Sequence, residues 1–323
     1  MKNKGYYVNL LGIIFGIISF LIILLSLTFI IRNRAYIRHR GFSINTLILT
    51  FLPNRQENLL SRMRLVRIRG LKRIERELER SFEKIEGEET VIGQYKNITI
   101  KNVAGHIRIS TWDEDYFLIK YIKTGPTFAN IEALEVEVQT DKNSVYVRRN
   151  TRIKGLKNLG SISFEVFVPD TVVRISAESV SGDIELEGMQ RSISQNLKTV
   201  SGRIETDNSA DLTTKSTSGS ITFQFSGKNL TAKTVSGRIG GTLTDVIPGG
   251  SLDLGSVSGP IHLYTDKKLN AAVSLKSISG SVSCEHPMTV SIKKKNQLEG
   301  KIGDGIIPLE VKTTSGSIKI QIL

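Results

Sequence analysis

Three patterns of hydrophobic and polar positions divide the chain. Residues 5–31 carry no charged side chain, and at about 1.5 Å per residue a helix of this length exceeds the roughly 30 Å of bilayer hydrocarbon. From residue 65 to 85, apolar side chains recur every three or four positions, which is typical of one helix face. After Val91 apolar and polar residues alternate, which is typical of strands.

These patterns predict five segments and an all-β fold for the largest of them. A signal peptide would have an apolar run of about 7 to 15 residues ending in small residues. The run here leads directly into Arg32, so we expect an uncleaved anchor. The segments are a short tail at 1–4, a transmembrane helix at 5–31, a basic juxtamembrane segment at 32–64, an amphipathic helix at 65–87 and a β-strand-repeat domain at 91–323.

The predicted amphipathic helix leaves three interpretations open. Its apolar stripe could lie on the membrane surface, form a short dimerising coil or pack on the following domain. Pairs such as Arg73 with Glu77 support the helix, and Gly87 is a plausible end. Few heptads are present, whereas a stable coiled coil usually needs at least about three or four.

A Ser-Gly motif recurs seven times from residue 179 onward. The first six of these glycines follow one another at intervals of 17 to 22 residues, and the last interval of 36 splits into 20 and 16 if Gly300 marks a degenerate copy. A period of about 19 residues predicts a β-solenoid, in which each repeat stacks on the next. The glycines assigned to this structural repeat are Gly105, Gly182, Gly202, Gly219, Gly237, Gly259, Gly280, Gly300 and Gly316.

The first copy predicts how one repeat is built. In a continuous strand Val180, Gly182 and Ile184 would face inward, and Ser181 would face outward. The glycine would then avoid crowding a neighbouring layer or supply a bend. Stacking would align the outward hydroxyls into a ladder, which is either a solvated face or a surface that binds a polymer. The residue after each glycine varies along this ladder: Asp183, Arg203, Ser220, Arg238, Pro260, Ser281 and Ser317.

The net charge of +13 is concentrated behind the hydrophobic segment. Residues 1–80 carry 15 basic and 4 acidic side chains, which favours phospholipid headgroups as a partner. Nucleic acid is disfavoured, because the C-terminal half lacks a basic stripe interleaved with stacking aromatics. The positive-inside rule places the C-terminal side in the cytoplasm, although long domains are translocated largely regardless of charge.

Motifs for catalysis, cofactors or metals are missing from the sequence, which has neither a nucleophile elbow nor a phosphate-binding glycine loop. The four histidines are scattered, and the single cysteine, Cys284, lies in a predicted strand. The acidic run at 113–115 lacks the ligand spacing of calcium loops, which favours a solvated turn. We expect no cofactor, no metal and no enzymatic activity.

Three segments together resemble a known family. They are the Asn-x-x-Gly-x-Ile segment at 102–107, the Val-Pro strand at 164–169 and the Ser-Gly copy at 179–184. They resemble the bacterial putative-adhesin family of β-strand-repeat proteins, a domain of unknown function, over residues 91–323. The resemblance implies a β-solenoid-like domain, usually outside the cytoplasm.

Two functions are favoured by these features, and a third, an enzyme that acts on an envelope polymer, would need a cleft with paired carboxylates. The first is a non-catalytic, membrane-anchored binding or scaffold module of the cell envelope, with an envelope polymer or a membrane protein as its partner. The alternative is a cytoplasmic-facing signalling or assembly partner that acts through the juxtamembrane helix. The first places the repeat domain outside the cytoplasm on a single-pass anchor.

Overall fold

The computed structural model describes residues 84–151, 160–189, 193–207 and 209–323. All the described strands belong to one compact unit, Leu71–Leu323. The described residues form 23 strands and one short helix. In chain order these are β1 (Lys84–Ile92), β2 (Asn97–Lys101), β3 (Ile107–Trp112), β4 (Tyr116–Thr124), α1 (Phe128–Glu132), β5 (Leu134–Asp141), β6 (Ser144–Thr151), β7 (Ser161–Pro169), β8 (Arg174–Ser179), β9 (Ile184–Glu187), β10 (Ser194–Thr199), β11 (Ile204–Thr206), β12 (Asp211–Ser216), β13 (Ile221–Phe225), β14 (Asn229–Thr234), β15 (Ile239–Leu243), β16 (Leu252–Ser256), β17 (Ile261–Thr265), β18 (Ala271–Ser277), β19 (Val282–Cys284), β20 (Thr289–Lys294), β21 (Gln297–Ile302), β22 (Ile307–Thr313) and β23 (Ile318–Ile322).

The strands form two long sheets. Sheet 1 has 11 strands in the order β1-β4-β7-β3-β9-β11-β13-β15-β17-β23-β19. Sheet 2 has 12 strands in the order β20-β21-β18-β22-β16-β14-β12-β10-β8-β2-β6-β5. Each sequence repeat contributes one strand of sheet 2 and then one strand of sheet 1, and we call this pair a rung.

Neighbouring rungs pair in parallel and in register. Ile204, for example, pairs with Ile184 on one side and with Ile221 on the other. Equivalent positions of successive copies therefore form columns with a spacing of about 4.8 Å. The rungs of the described residues are β2–β3, β6–β7, β8–β9, β10–β11, β12–β13, β14–β15, β16–β17, β18–β19 and β22–β23.

The spatial order of the rungs departs from the chain order at both ends. The rung β2–β3 lies between β6–β7 and β8–β9, although β6 follows it in sequence. Similarly, β22–β23 lies between β16–β17 and β18–β19. Antiparallel strands flank these ends: β1 and β4 extend from β7, β5 pairs with β6, and the β20–β21 hairpin pairs with β18. Each end of the stack of rungs is therefore built from segments that are distant from one another in the sequence.

Buried apolar side chains alternate along the strands of both sheets and form one hydrophobic cluster. In β13, Ile221, Phe223 and Phe225 are all buried. Phe223 pairs in register with Gly241 of the next rung, and a Cβ atom on Gly241 would overlap the phenyl ring. The core therefore combines a large and a small residue in adjacent layers, as close packing requires.

The prediction of an all-β, solenoid-like repeat domain is confirmed for the described residues. The transmembrane helix at 5–31 and most of the amphipathic helix at 65–87 fall outside those residues. In the described part of the chain, no helix combines the length and the hydrophobicity needed to cross a bilayer. The end of the predicted amphipathic helix is wrong: residues 84–87 begin β1, because their backbone joins the antiparallel pairing with β4.

Candidate functional site

The Ser-Gly motif lies at the corner where a rung passes from sheet 2 to sheet 1. In the first copy β8 ends at Ser179 and β9 begins at Ile184. Ser179 is buried and Val180 is 49% exposed. The predicted inward direction of Val180 is wrong, because the turn between the sheets breaks the alternation of a continuous strand. The same exposure recurs at Val200, Val235 and Val257.

The corner glycines form a column through the stack. A Cβ atom on Gly202 would lie well inside 3.0 Å of the carbonyl oxygen of Gly182 in the neighbouring rung. None of the seven Ser-Gly glycines has a positive φ, so the close approach of the rungs requires glycine here. In spatial order the glycine column consists of Gly105, Gly182, Gly202, Gly219, Gly237, Gly259, Gly316 and Gly280.

Gly300 lies apart from the glycine column. It belongs to β21, which pairs antiparallel with β18 and β20. A Cβ atom there would meet Thr289 and Met288 rather than another corner glycine. The counting of Gly300 as a degenerate corner is therefore wrong, because a hairpin occupies the place that another rung would have.

Buried hydroxyl groups next to the glycine column join the rungs. In five of the seven Ser-Gly copies the residue three positions before the glycine donates to a glycine carbonyl of the neighbouring rung, as Thr199 does to Gly182 over 3.3 Å and Thr234 to Gly219 over 3.2 Å. Ser277 makes the corresponding bond over 2.8 Å. The buried hydroxyls of Ser179 and Ser216 make no such bond. The five bonds satisfy buried polar groups, which would cost free energy if they were buried without a hydrogen-bond partner. In these five copies the first hydroxyl of the corner is thus structural.

Five cations cluster at the corner in three consecutive rungs. Residues 198–204 and 233–239 share the sequence Lys-Thr-Val-Ser-Gly-Arg-Ile, and 215–221 between them reads Lys-Ser-Thr-Ser-Gly-Ser-Ile. The lysines lie on sheet 2 just before the corner, in register with one another. The arginines lie just after it, beside sheet 1. We call this set the corner patch: Lys198, Arg203, Lys215, Lys233 and Arg238.

The charges of the corner patch are only partly neutralised. Lys198 Nζ lies 3.2 Å from a carboxylate oxygen of Glu178, and Lys233 Nζ lies 2.6 Å from one of Asp253. The other three cations make no ion pair with any described residue. Like charges directly opposite on neighbouring strands destabilise a sheet, so an anion bound here would relieve repulsion.

The neighbouring rungs delimit the corner patch. On one side the equivalent positions hold Glu178 and Asp183, which are acidic. On the other side they hold Gly255 and Pro260, which carry no charge. The positive charge at both sides of the corner is therefore confined to three rungs.

An open groove of about 650 Å³ lies on the sheet 1 side of the patch. Arg203 and Arg238 line it with the hydroxyl groups of Ser220 and Thr222. Glu205 is its acidic residue. Guanidinium and hydroxyl donors on one open surface suit an anion that carries several oxygen acceptors.

An acidic pair on sheet 1 is the strongest candidate for acid–base chemistry. Arg108 donates two hydrogen bonds to Glu185, at 3.0 and 2.8 Å, and these lower the pKa of Glu185. A hydrogen bond with Glu185 raises the pKa of Glu187. Split pKa values are typical of catalytic carboxylates. Here both carboxylates lie on an open strand face outside the groove, where Arg108 links neighbouring rungs.

The other groups considered for chemistry lie apart from the corner patch. Cys284 is partly buried, and burial raises the pKa of its thiol, which disfavours the reactive thiolate. The acidic run at 113–115 forms an exposed turn between β3 and β4. Across the described ranges, no three metal-ligating side chains converge.

A comparison of this chain's sequence with models of known protein families gives a match. The profile of the Toastrack DUF4097 family matches residues 92–321. No curated protein matches the sequence.

Three solved structures are similar to the chain at low identity. A putative adhesin from Bacteroides fragilis NCTC 9343 is 15% identical with a TM-score of 0.44, covering 75% of this chain and 99% of that one. A putative cell adhesion protein from Clostridium sporogenes ATCC 15579 is 12% identical with a TM-score of 0.38, covering 75% and 100%. A putative lipid binding protein from Parabacteroides distasonis ATCC 8503 is 13% identical with a TM-score of 0.35, covering 74% and 97%. These likenesses are too distant to carry an argument about function.

Proposed function

We propose that this chain, which belongs to the Toastrack DUF4097 family, is a membrane-anchored module of the cell envelope that binds an anionic ligand at the corner patch. The observation that carries the proposal is the stacking of five cations around one corner, three of them without an ion pair in the described part of the chain. In this proposal the chain binds and positions its ligand and performs no catalysis. Its open groove suits binding, whereas catalytic sites usually enclose their substrate.

The repeat itself supports a separation of binding from folding. The glycine and the buried hydroxyl recur in each Ser-Gly copy, while the residue after the glycine changes. Arg203 and Arg238 occupy this variable position, and Ser220 occupies it in the rung between them. Because serine is already present in an equivalent rung, replacing the arginines by serine removes charge without altering the corner.

The double substitution Arg203→Ser with Arg238→Ser is expected to weaken binding of inorganic polyphosphate to the full chain in zwitterionic nanodiscs by at least about tenfold, since each charge-assisted bond is worth about 1.5–3 kcal/mol. The thermal midpoint of unfolding should stay unchanged. Titration calorimetry measures the affinity, and raising the salt concentration should weaken it.

The matched control is Lys267→Ser with Lys268→Ser. It removes the same charge from an exposed turn between β17 and β18, away from the Ser-Gly corner. Its affinity should equal that of the wild type within about twofold, because a long-range effect of net charge is screened within about 10 Å in ordinary buffer. Equal losses in both variants, or no loss in the arginine variant, would contradict the proposal.

The proposal also places the repeat domain outside the cytoplasm, held by the predicted anchor at 5–31. Protease added to intact spheroplasts should then digest residues 91–323. Full protection of the domain in spheroplasts with a verified intact membrane would favour the alternative, a cytoplasmic partner acting through the predicted helix at 65–87. The basic segment at 32–64 would contact anionic lipid headgroups in either orientation.

A further inference from the structure

The lysine column of the corner patch continues beyond the patch on sheet 2. After Lys233 the in-register positions are Gly255, Lys312 and Lys276. The column from Lys198 to Lys276 therefore spans five inter-strand steps of about 4.8 Å, or about 24 Å. It holds a cation at five of its six positions.

The gap at Gly255 leaves the column open. A Cβ atom on Gly255 would meet nothing nearer than 3.9 Å, so packing does not demand a glycine here. The absent side chain leaves free surface between Lys233 and Lys312 across which a bound chain can pass.

The lysines beyond the gap are available to a ligand. Lys276 lies 2.8 Å from Glu299, Lys312 contacts Glu310, and both lysine side chains are about half exposed. Exposed ion pairs of this kind contribute only about 0–1 kcal/mol. A polymer that offers several anions in a row can therefore displace these carboxylates.

We propose that the ligand is a linear polymer of phosphate groups that lies parallel to the solenoid axis, along the lysine column from Lys198 to Lys276. This rests on the proposed function, names the ligand class and extends the site from the lysines of the corner patch along sheet 2. The column is one side chain wide and several rungs long, a shape that matches a chain better than a compact anion. A phosphate beside Lys215 or Lys233 can also meet the hydroxyl of Thr213 or Thr231 in the neighbouring column, which holds Asp253 and Glu310 beside Gly255 and Lys312.

Two other anionic partners fit this surface less well. Single-stranded nucleic acid would need aromatic side chains on which to stack its bases, and the lysine column and its hydroxyl neighbours contain none from Lys198 to Lys276. An anionic bilayer offers a broad charged plane. Asp253 and Glu310 lie beside the lysine column, on the side away from the corner. Both acids would be pressed against such a plane, which like charge disfavours.

The test compares long-chain polyphosphate with tripolyphosphate on the full chain in zwitterionic nanodiscs, at equal phosphate concentration. Long chains should bind at least about tenfold more tightly, with a steeper dependence on salt because more counterions are released. The variant Lys276→Ala with Lys312→Ala should bind long chains at least about fivefold more weakly than the wild type, and its affinity for tripolyphosphate should be unchanged. The Lys267→Ser with Lys268→Ser variant serves again as the charge-matched control.

The outcomes separate this inference from the proposed function. If both phosphates bind equally, or if the Lys276 and Lys312 substitutions leave long-chain binding intact, the axial polymer is overturned while an anion site at the corner patch survives. Polygalacturonate, a polymer of carboxylates, provides the comparison for the phosphate group. If it binds as tightly as long-chain polyphosphate and with the same dependence on chain length, the assignment of phosphate is overturned. Binding that is confined to anionic vesicles or single-stranded DNA would overturn the ligand class. If no anion binds, both proposals fail.

Discussion

Replacing Gly219 by alanine is expected to lower the free energy of unfolding by about 3 kcal/mol, the upper part of the usual range for overpacking. A Cβ atom there would overlap the carbonyl oxygen of Gly202 and crowd the Ser216 hydroxyl. Neither neighbour can yield easily, because the first is backbone in a paired rung and the second is buried. The rungs would have to separate at this corner. Urea unfolding followed by circular dichroism measures the loss.

Gly240 supplies the matched control for this substitution. It lies in β15, and a Cβ atom on it would meet nothing within 4 Å. Gly240→Ala should therefore change stability by less than about 0.5 kcal/mol, as substitutions outside packed sites usually do. Similar losses at Gly219 and Gly240 would mean that the column glycines are not required by the contact between rungs.

Replacing Phe223 by alanine is expected to cost about 3–5 kcal/mol, because the ring is fully buried and its removal leaves a cavity. The in-register contact with Gly241 makes a sharper prediction. Gly241→Val alone should also destabilise, since its side chain would collide with the ring. In the double variant Phe223→Ala with Gly241→Val, the valine side chain should fill part of the cavity that the phenyl ring leaves. The loss of stability in the double variant should therefore be smaller than the sum of the losses in the two single variants.

A double-mutant cycle measures this coupling. We expect a coupling of at least about 1 kcal/mol, because contacting core residues of opposite size are not additive. Losses at Phe223 and Gly241 that simply add would contradict the stacking of these two residues in adjacent rungs. The cycle thus tests the register of β13 against β15 as well as the packing.

The repeat was predictable because its glycine, hydroxyl and apolar positions recur at a nearly constant interval. The corner was not, because Val180, Gly182 and Ile184 continue the alternation of a strand even though the chain turns there. Only the buried Ser179 reverses the pattern, and serine gives no hydrophobic signal. Sequence periodicity therefore identified the rungs but left open whether the glycine lies within a strand or at a bend.

The order of the end rungs was not predictable either. Successive copies present similar backbones and similar apolar residues, so any rung can pair with almost any other. Which rung lies beside β16 depends on the links between rungs and on the hairpin that precedes β22. Periodicity carries no information about such an exchange of neighbours.

Only part of the corner patch was predictable from the sequence. Arg203 and Arg238 stood out as members of the variable position, whereas Lys198, Lys215 and Lys233 did not. Recognising them needs the register of sheet 2, which puts the three lysines in one column. The identical segments 198–204 and 233–239 were the available signal, because they repeat the charges as well as the packing residues.

Covalent footprinting of lysines gives the most direct test of the claim that the corner patch binds the ligand. The full chain in zwitterionic nanodiscs is acetylated briefly with and without long-chain polyphosphate, and each lysine is quantified by mass spectrometry. We predict that the ligand slows acetylation of Lys198, Lys215 and Lys233 and leaves Lys267 and Lys268 unchanged. Equal protection of all five lysines, or protection that spares the first three, would contradict the account.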